Sequence, residues 1–509
     1  MANQASGEVV LPSGHTGSSL FHAVLAEAAK LYPSALAKAG FPETAGAFKR
    51  TYGTALARFE AARVSSNERV EIARFIVRRT REALCFGERG AVQPLSDYLR
   101  EPVPTPTLER TQLGESAGLT LAVPFEGQLY RGRSIHDLVD RLHAQHQLTG
   151  PARAALRWIV EHAAAQGGTV DLRGQRFVLL GAGAELASTR LLLEAGASVL
   201  WVDLADPARS LAGADALSGS ITRASGAANL LAQPREIAAA IRAFAESEPV
   251  HVGMFAYAPG ASKEWRLGAA MNAIVASLPP AAVRSVSLLI SPTTPTVLSA
   301  ETVRSIESRY VQTPAGQKWL QRLGLITHPG VYRDDDVQVS LSTVSLQGLS
   351  YQAAQYISKI AAAETYAVFG TDDRGEARAP VTVSANVAGV TRTRSLSHPL
   401  FNAAFEGAEK FGVRVFDPDT TRALSGYLML HDLLNPEAPG AADVQPASAR
   451  EKATGVLSQQ IHGGIHTLPF VLEGVIRAAA VTGLVSRPSL LLQKVPAEAA
   501  AAPVGLAAE

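Results

Sequence analysis

The sequence predicts an α/β protein in which a doubly wound parallel sheet is joined to a helical N-terminal domain and a C-terminal helical extension. Three observations support this fold class. From about residue 171 to residue 436, short apolar runs alternate with helical segments, which is typical of a parallel sheet with helices on both faces. Residues 1 to about 165 carry apolar residues at helical spacing. An apolar segment near residues 468–484 predicts a last helix.

Length and composition set the broad class of the protein. The chain has 509 residues, enough for two or three domains. We predict a mainly helical domain at 1–168 for oligomerisation or substrate cover, a sheet domain at 169–438 with an insertion at 292–347, and a linker, helix and flexible tail at 439–509.

The charge and the cysteine count exclude several classes of partner and site. A net charge of +1 without a Lys/Arg block predicts no nucleic-acid partner. The single cysteine, Cys85, excludes an internal disulfide framework and a cysteine-rich zinc site. The polar opening Met1–Gly17 predicts no signal peptide, and no apolar stretch reaches the roughly 20 residues of a membrane span. We therefore expect a soluble cytoplasmic protein.

The N-terminal region shows mainly helical periodicity and no recognisable chemical motif. A proline-rich connector follows its third helix, and a short strand or hairpin precedes its last two helices. The predicted helices, connector and hairpin are Ser19–Ala39, Glu43–Val64, Asn67–Cys85, Glu101–Thr107, Gly118–Arg133, Ser134–His146 and Pro151–Ala165.

The sheet domain opens with a strand, a glycine turn, a helix and a second strand. Phe177–Leu180 is the apolar first strand, and Gly181 and Gly183 make a tight turn after it. A helical run follows, and the second strand, Val199–Val202, ends on Asp203. Glycines at such a turn let backbone N–H groups approach a pyrophosphate, and a terminal acid suits the ribose hydroxyls of adenosine. This unit predicts a dinucleotide-binding Rossmann domain.

The strand and helix alternation continues to the end of this domain. Predicted strands lie at Ala227–Leu231, Val250–Ala256, Val283–Ile290 and Val381–Val387, with helices at Pro234–Ser247, Ser262–Leu278 and Tyr351–Phe369. Residues 292–347 form a long insertion with a helix at Ala300–Ser308 and an acidic turn, Asp334–Asp336.

Several spaced motifs follow this opening unit. Ala258-Pro259-Gly260 follows the fourth strand, and Asn272 lies seven residues after Trp265. Ser291 ends the fifth strand, and Ala388–Thr393 follows the sixth. In this order the motifs resemble the short-chain dehydrogenase/reductase superfamily, over roughly half of the chain. The resemblance implies a Rossmann fold, a bound NAD or NADP, and hydride transfer between nicotinamide and a carbonyl or alcohol carbon.

The resemblance also implies the residues that contact the cofactor. Glu185 and Ala187 stand where that superfamily has the second and third glycines of its turn, so this turn departs from the pattern. Asp203 favours NAD, because a carboxylate there repels the 2′-phosphate of NADP, although Arg209 nearby softens that preference and NADP stays possible. The implied cofactor contacts are Gly181, Gly183, Ala187, Asp203, Asn229, Ala258, Gly260, Lys359, Gly389 and Thr393.

The catalytic assignment follows from the same resemblance. Ser291 would hold the substrate oxygen, and Asn272 would support a helix kink and a relay water. Lys359 would bind the ribose and lower the pKa of a tyrosine that donates the proton. Gln355, four residues before Lys359, occupies the usual tyrosine position and cannot act as an acid.

Two tyrosines can replace the missing acid. Tyr356 lies three residues before Lys359 and Tyr351 eight residues before it. The enoyl-thioester reductases of the same superfamily use a wider Tyr–Lys spacing, and Ser350-Tyr351-Gln352 resembles the start of their helix. We therefore favour Tyr351 slightly over Tyr356 and keep both as candidates.

Three functions remain open from the sequence. The first is an NAD(P)-dependent oxidoreductase, forming a homodimer or homotetramer as the resemblance implies. The second is reduction of an enoyl-thioester double bond, and the third is a catalytically silent dinucleotide-binding regulatory or assembly protein, which Glu185 and Gln355 favour. Apolar residues in the insertion suggest a lid over a fairly large or apolar substrate: Leu298, Val303, Trp319, Leu320 and Leu323.

His462 and His466 are spaced four apart, as metal-binding histidines on a helix can be. Two glycines between them argue against a helix, and no third ligand is evident. We predict no metal site and interpret this segment as a loop that contacts the active site.

Overall fold

The computed structural model describes residues 7–115, 117–214, 216–260, 262–367, 370–371, 377–378, 381–396, 398–444 and 448–492. The predicted flexible tail after residue 492 and the predicted helix end at Phe369 lie outside this part of the chain. Within the described ranges, no helix is both long enough and apolar enough to cross a membrane.

The strands fall into one central sheet and several small ones. In chain order they are β1 Glu8–Val10, β2 Cys85–Glu88, β3 Ala91–Pro94, β4 Leu108–Gln112, β5 Ala122–Phe125, β6 Gln128–Arg131, β7 Arg176–Leu180, β8 Ser198–Val202, β9 Ser220–Ala224, β10 Val250–Met254, β11 Val283–Ile290, β12 Val331–Asp334, β13 Val337–Ser340, β14 Gly370–Thr371, β15 Ala377–Arg378 and β16 Thr382–Val387.

Helices pack on both faces of the central sheet. In chain order they are α1 Gly17–Leu31, α2 Pro33–Leu36, α3 Ala45–Ser65, α4 Arg69–Ala83, α5 Leu95–Tyr98, α6 Ile135–Ala144, α7 Gly150–Ala165, α8 Thr189–Glu194, α9 Pro207–Ser210, α10 Pro234–Phe244, α11 Lys263–Ser277, α12 Ala300–Val311, α13 Ala315–Arg322, α14 Leu349–Ala361, α15 Pro399–Ala408, α16 Pro418–Leu434, α17 Ala449–Val456 and α18 Leu472–Ser486. The helices of the N-terminal segment pack against α14.

The central sheet has the strand order β16-β11-β10-β7-β8-β9-β4. Its strands pair in parallel except for β4, which pairs antiparallel with β9 at the edge. The six parallel strands therefore follow the Rossmann order 3-2-1-4-5-6, and the prediction of a doubly wound parallel sheet is confirmed. The order reverses between β7 and β10, which opens a crevice at the carboxyl ends of the strands.

The third strand of the sheet domain differs from its prediction. We predicted it at Ala227–Leu231, but the strand beside β8 is β9, and residues 227–231 form a turn before α10. The apolar residues of that turn, Ala227, Leu230 and Leu231, are buried in the core beside the sheet. Apolar character came from this burial and not from a strand, so the prediction was wrong.

The helix after the glycine turn is also shorter than predicted. It begins at Thr189 and has only six residues, because residues 181–187 continue as consecutive turns. Thr189 caps the turn by donating its hydroxyl hydrogen to the carbonyl oxygen of Ala182 at 2.6 Å. The amino end of this helix therefore starts well beyond Gly183.

A separate helical N-terminal domain is not confirmed. Strand β4 belongs to the predicted first domain but forms the edge of the central sheet, and β1, β2 and β3 form a small sheet of their own. Helices α1, α3 and α4 share one hydrophobic core with α14 and with Trp265 of α11. Their apolar faces are covered by the sheet domain, so this segment is packed onto it.

The C-terminal helix α18 packs tightly against α15. Glycines allow the close approach, because a Cβ at Gly483 would lie 1.9 Å from the carbonyl oxygen of Ala403, and one at Gly407 would lie 2.0 Å from that of Ala479. The side chains of Phe401 and Phe405 on α15 are buried. Apolar residues of this helix pair form one wall of a cleft at the carboxyl ends of the parallel strands.

We expect Gly483→Ala to lower stability by about 1–3 kcal/mol, because the added methyl group would collide with backbone that cannot move independently. The matched control is Gly316→Ala on the exposed helix α13, where nothing lies within 4 Å of the added group. The control should leave stability unchanged or raise it by up to ~1 kcal/mol. Thermal and urea unfolding of both variants check this, and equal melting temperatures would contradict the close packing.

Candidate functional site

A cleft of about 500 Å³ lies at the carboxyl ends of the parallel strands. It is lined by the residues that follow β7, β10, β11 and β16, so it occupies the crevice where the strand order reverses. This is the usual position of ligand sites in open α/β sheets. Among the predicted site residues, those that line it are Gly183, Ser291, Tyr351, Gly389 and Thr393.

Ser291 and Tyr351 form the hydroxyl pair of the cleft. Ser291 follows β11 directly, and Tyr351 lies in the first turn of α14. Burial raises the pKa of Tyr351 to about 12, and a hydrogen bond with Ser291 partly opposes that rise. The Ser291 hydroxyl also lies 2.8 Å from that of Thr293. The structure thus brings these two predicted catalytic residues together.

Gln355 positions this pair through the backbone. Its Oε1 accepts a hydrogen bond from the Ser291 amide at 2.8 Å, and its side chain lines the cleft. The sequence showed Gln355 only as a residue that replaces an acid. In the structure it fixes the end of β11 against α14.

Lys359 and Tyr356 lie outside the cleft, contrary to the prediction that they hold the ribose and donate the proton. Both side chains are fully buried on the other face of α14. The Tyr356 hydroxyl donates to Glu60 Oε2 at 2.7 Å, and Lys359 Nζ donates to Glu60 Oε1 at 2.7 Å. Lys359 also donates to the carbonyl oxygen of Pro295. Its hydrogen bonds are directed at α3 and the strand-exit turn, so it cannot contact a cofactor in this arrangement.

Glu60 is the centre of a buried ionic cluster. It accepts two hydrogen bonds from Arg63, at 2.9 and 3.0 Å, in addition to those from Tyr356 and Lys359. Burial alone would raise the pKa of Glu60, but the charges of Arg63 and Lys359 hold it well below its usual range. The carboxylate therefore stays charged at neutral pH and joins α3 to α14.

A second carboxylate completes the cluster. Glu364, in the π-helical turn that follows α14, accepts from Arg63 at 3.0 Å and from Arg69 of α4 at 2.6 Å. Three cations thus face two carboxylates in a buried site. Removing one of the two carboxylates would leave buried cations without a partner, which typically costs about 3–5 kcal/mol.

Asn272 has a structural position and does not line the cleft. Its amide donates to the carbonyl oxygen of Gly268 at 2.8 Å and to the Ser358 hydroxyl at 3.3 Å. The Tyr366 hydroxyl donates to its Oδ1 at 3.2 Å. Asn272 therefore joins α11 to α14, and the predicted catalytic role does not match its surroundings.

The glycine turn is closed by Asp203 rather than left open for a ligand. Asp203 Oδ2 accepts from the Gly183 amide at 2.9 Å and Oδ1 accepts from the Ala205 amide at 2.8 Å. Gly181 has φ +92°, and a Cβ there would lie 2.3 Å from the Ala256 amide nitrogen. Gly181 is required by the close approach of two loops, and neither it nor Ala187 lines the cleft.

Glu185, which departs from the family pattern, points to a cation. Its Oε2 accepts from the Arg394 amide at 2.9 Å, and its Oε1 lies 3.6 Å from Arg394 Nε. The Arg422 guanidinium donates to its carbonyl oxygen at 2.8 and 2.9 Å. Glu185 therefore ties the glycine turn to the loop after β16 at one side of the cleft.

Some of the remaining predicted cofactor contacts lie away from the cleft, and others line it. Asn229 accepts from the amides of Leu231 and Ala232, so it stabilises the turn before α10. Asn229, Ala258 and Gly260 do not line the cleft. Gly389 and Thr393 do line it, and the Thr393 hydroxyl lies 3.0 Å from that of Ser395.

His462 and His466 are buried and belong to a loop behind the cleft. His466 Nε2 lies 2.7 Å from the carbonyl oxygen of Pro292, and Nδ1 lies 2.7 Å from Gln460 Oε1. Burial lowers the pKa of His466 to about 4, so it stays neutral. Ile465 between the histidines lines the cleft. In the part of the chain that the structure describes, no group of three or more His, Cys, Asp or Glu residues could hold a metal.

The apolar half of the cleft is formed by helices that the sequence did not assign to it. Phe401 and Phe405 of α15 and Val475 and Ile476 of α18 line this half. The predicted lid residue Trp319 is instead 59% exposed. The insertion contributes Pro292, Thr293, Val344, Leu346 and Gln347, so it reaches the cleft through its two ends rather than through its helices.

Two further cleft residues were missed by the sequence analysis. Tyr257 follows β10, and Glu264 lies in the first turn of α11. Glu264 accepts a hydrogen bond from the Gly260 amide at 3.0 Å, which is how an acid near a helix start commonly behaves. A sequence pattern of this kind predicts helix capping, so no signal marked Glu264 as a cleft residue.

Searches against known protein families and against curated protein sequences found no match to this chain. Function is therefore inferred from the geometry of the cleft alone.

We expect Lys359→Met to destabilise the fold by about 1.5–3 kcal/mol, because it removes a buried charged hydrogen bond to Glu60, which keeps Arg63 as its partner. The control is Lys38→Met, which removes a partly exposed pair with Asp334 and should cost no more than ~1 kcal/mol. Chemical unfolding of both variants provides the comparison. A loss for Lys359→Met as small as that for the control would mean that the buried pair contributes little.

Proposed function

We propose that this protein is an NAD(P)-dependent oxidoreductase that reduces a carbonyl group of a fairly large or apolar substrate, acting as a homodimer or homotetramer. The observation that supports it best is the Ser291–Tyr351 pair, which lines a cleft at the point where the strand order reverses. The apolar wall of α15 and α18 supports a substrate with a large apolar part.

The residues of the cleft fit the nicotinamide half of a dinucleotide better than its adenosine half. Gly389 and Thr393 line the cleft beside Ser291 and would flank a nicotinamide. Lys359 donates to Glu60, so the contact between a lysine and the ribose that the superfamily resemblance implies is missing. Helix α8 begins at Thr189, so its amino end does not lie at the glycine turn. The Asp203 oxygens already accept backbone hydrogen bonds, although its charge still favours NAD over NADP. We therefore expect weaker dinucleotide binding than the fold alone would suggest.

Bound NAD(P)H would supply the hydride, and the protein would orient and protonate the substrate. Ser291 would hold the carbonyl oxygen, and Gln355 fixes its backbone. Tyr351, which lines the same cleft, would donate the proton to that oxygen. A hydroxyl whose pKa is about 12 keeps its proton at neutral pH, so Tyr351 is in the protonated form that carbonyl reduction requires.

Two alternatives keep specific support. Enoyl-thioester reduction is supported by Tyr351 lining the cleft while Tyr356 does not, since the wide spacing suggested that chemistry. A catalytically silent dinucleotide-binding protein is supported by the burial of Lys359 in the ionic cluster. Calorimetric titration with NADH and NADPH comes first. Dinucleotide binding without oxidation of NADH or NADPH, over panels of carbonyl and enoyl-thioester compounds, would favour the catalytically silent protein. Binding of neither dinucleotide would refute the proposal that NAD(P) is the cofactor.

Tyr351→Phe should lower the turnover number for NAD(P)H-dependent reduction about 10²–10⁴-fold, because it removes the proton donor. Tyr356→Phe should change turnover per folded molecule little, because its hydroxyl binds Glu60 outside the cleft, but it should lower the melting temperature. Steady-state assays on purified variants with circular dichroism as the folding control test this. The reverse order of effects would assign the proton to Tyr356.

The pH profile tests the state of the Tyr351 hydroxyl. Because its pKa is raised to about 12, the proton-donating form persists from pH 7 to pH 10. Reductase turnover should therefore show no decrease from tyrosine ionisation in that range, measured at saturating substrate and cofactor. A decrease with an apparent pKa between 7 and 9 that disappears in Tyr351→Phe would contradict this assignment.

A further inference from the structure

Glu264 is a buried carboxylate with one oxygen that lacks a partner. Its side chain lines the cleft, and the residue is only 6% exposed. Oε1 accepts from the Gly260 amide at 3.0 Å, whereas Oε2 is buried without a hydrogen bond. Of the described residues that line the cleft, Glu264 is the one with such an unpaired buried side-chain atom.

Two tyrosines, Tyr257 and Tyr351, line the same cleft as this carboxylate. The rings of Tyr257 and Tyr351 meet edge to face, with centroids 5.9 Å apart and planes at 85°. Burial raises the pKa of both hydroxyl groups, and the negative charge of Glu264 adds to that rise. Tyr257 is still 41% exposed at the cleft.

The cleft offers Glu264 no cation of its own. Arg394 is the lining guanidinium, and it pairs with Glu185 at the glycine turn. Glu264 forms no ion pair among the described residues. A buried carboxylate oxygen without a partner is costly, and the cost is removed when a ligand supplies a charged donor.

A positively charged nitrogen suits both the unpaired carboxylate oxygen of Glu264 and the two tyrosine rings. An ammonium group donates several hydrogen bonds to a carboxylate, and the faces of tyrosine rings attract cations. A phosphate or carboxylate ligand would instead be repelled by Glu264. The apolar wall of α15 and α18 in the same cleft suits an apolar body on the ligand.

We propose that the cleft binds an organic amine with an apolar body, whose charged nitrogen pairs with Glu264 Oε2 beside Tyr257 and Tyr351. As a substrate class this rests on the proposed oxidoreductase function, and it names an amine-bearing carbonyl compound. As a binding site it requires no nicotinamide. Tyr351 would then lie close to both the ligand's cation and the proton-accepting oxygen.

The test compares three six-carbon probes at neutral pH, namely the hexylammonium ion, 1-hexanol and hexanoate, by calorimetric titration of the full-length protein. Hexylammonium should bind tightest and hexanoate weakest. Glu264→Gln keeps the size of the side chain and its bond to Gly260, and should weaken hexylammonium binding at least 10-fold while leaving 1-hexanol unaffected. Glu246→Gln removes the same charge from an exposed position after α10 and should change neither affinity.

A second pair of variants keeps the test valid if Glu264→Gln fails to fold. Because Tyr257 is partly exposed, both of its substitutions should be tolerated. Tyr257→Phe retains the ring face and should bind hexylammonium nearly normally, whereas Tyr257→Leu should weaken it several-fold. Equal affinity of wild-type protein for hexylammonium and 1-hexanol, tighter binding of hexanoate, or no hexylammonium binding would overturn the proposal.

The two proposals fail separately. Amine binding without NAD(P)H-dependent turnover would refute the oxidoreductase and leave the amine site in place. Turnover of neutral carbonyl compounds without amine binding would refute the amine site and leave the oxidoreductase.

Discussion

The ion pair between Glu60 and Lys359 fixes how helix α14 is rotated, and the chemistry of the cleft depends on that rotation. Lys359 Nζ and the Tyr356 hydroxyl both donate to the Glu60 carboxylate. These side chains share one face of the helix, so the face about 100° around the helix from it, at Tyr351, Gln355 and Ser358, is turned to the cleft. One buried carboxylate on α3 therefore decides which tyrosine faces a ligand.

This rotation also sets the electrostatics of the cleft. With Lys359 directed at Glu60, the cleft loses the cation that would lower a tyrosine pKa, and burial instead raises the pKa of Tyr351. Glu264 then remains as a carboxylate without an opposing charge. The cleft therefore combines a tyrosine hydroxyl that stays protonated with an unpaired carboxylate oxygen, and such a carboxylate would repel phosphates.

The sheet was largely predictable from the sequence, whereas the site was not. The fifth parallel strand has the predicted bounds, Val283–Ile290, because most of its buried positions are apolar. The same signal failed at Ala227–Leu231, where a buried turn is equally apolar. Apolar patterning is a local property of the sequence. It could therefore predict which segments are buried, but it could not always distinguish a strand from a turn.

The position of Lys359 depends on a residue 299 positions away, which no local pattern contains. Spacing correctly placed Ser291 at a strand end and favoured Tyr351 slightly, and both line the cleft. The role of Gln355 could not be predicted, because it depends on the distance between α14 and the end of β11. The sequence did not identify Glu264 as a cleft residue, because an acid near a helix start is expected to cap the helix.

A crystal structure of the protein with a bound nicotinamide dinucleotide tests the central claim most directly. We expect Lys359 Nζ to remain within hydrogen-bond distance of Glu60, and the Tyr351 hydroxyl to face the nicotinamide ring beside Ser291. A structure in which Lys359 leaves Glu60 and contacts the ribose, with Tyr356 facing the nicotinamide, would contradict the proposed arrangement of the site.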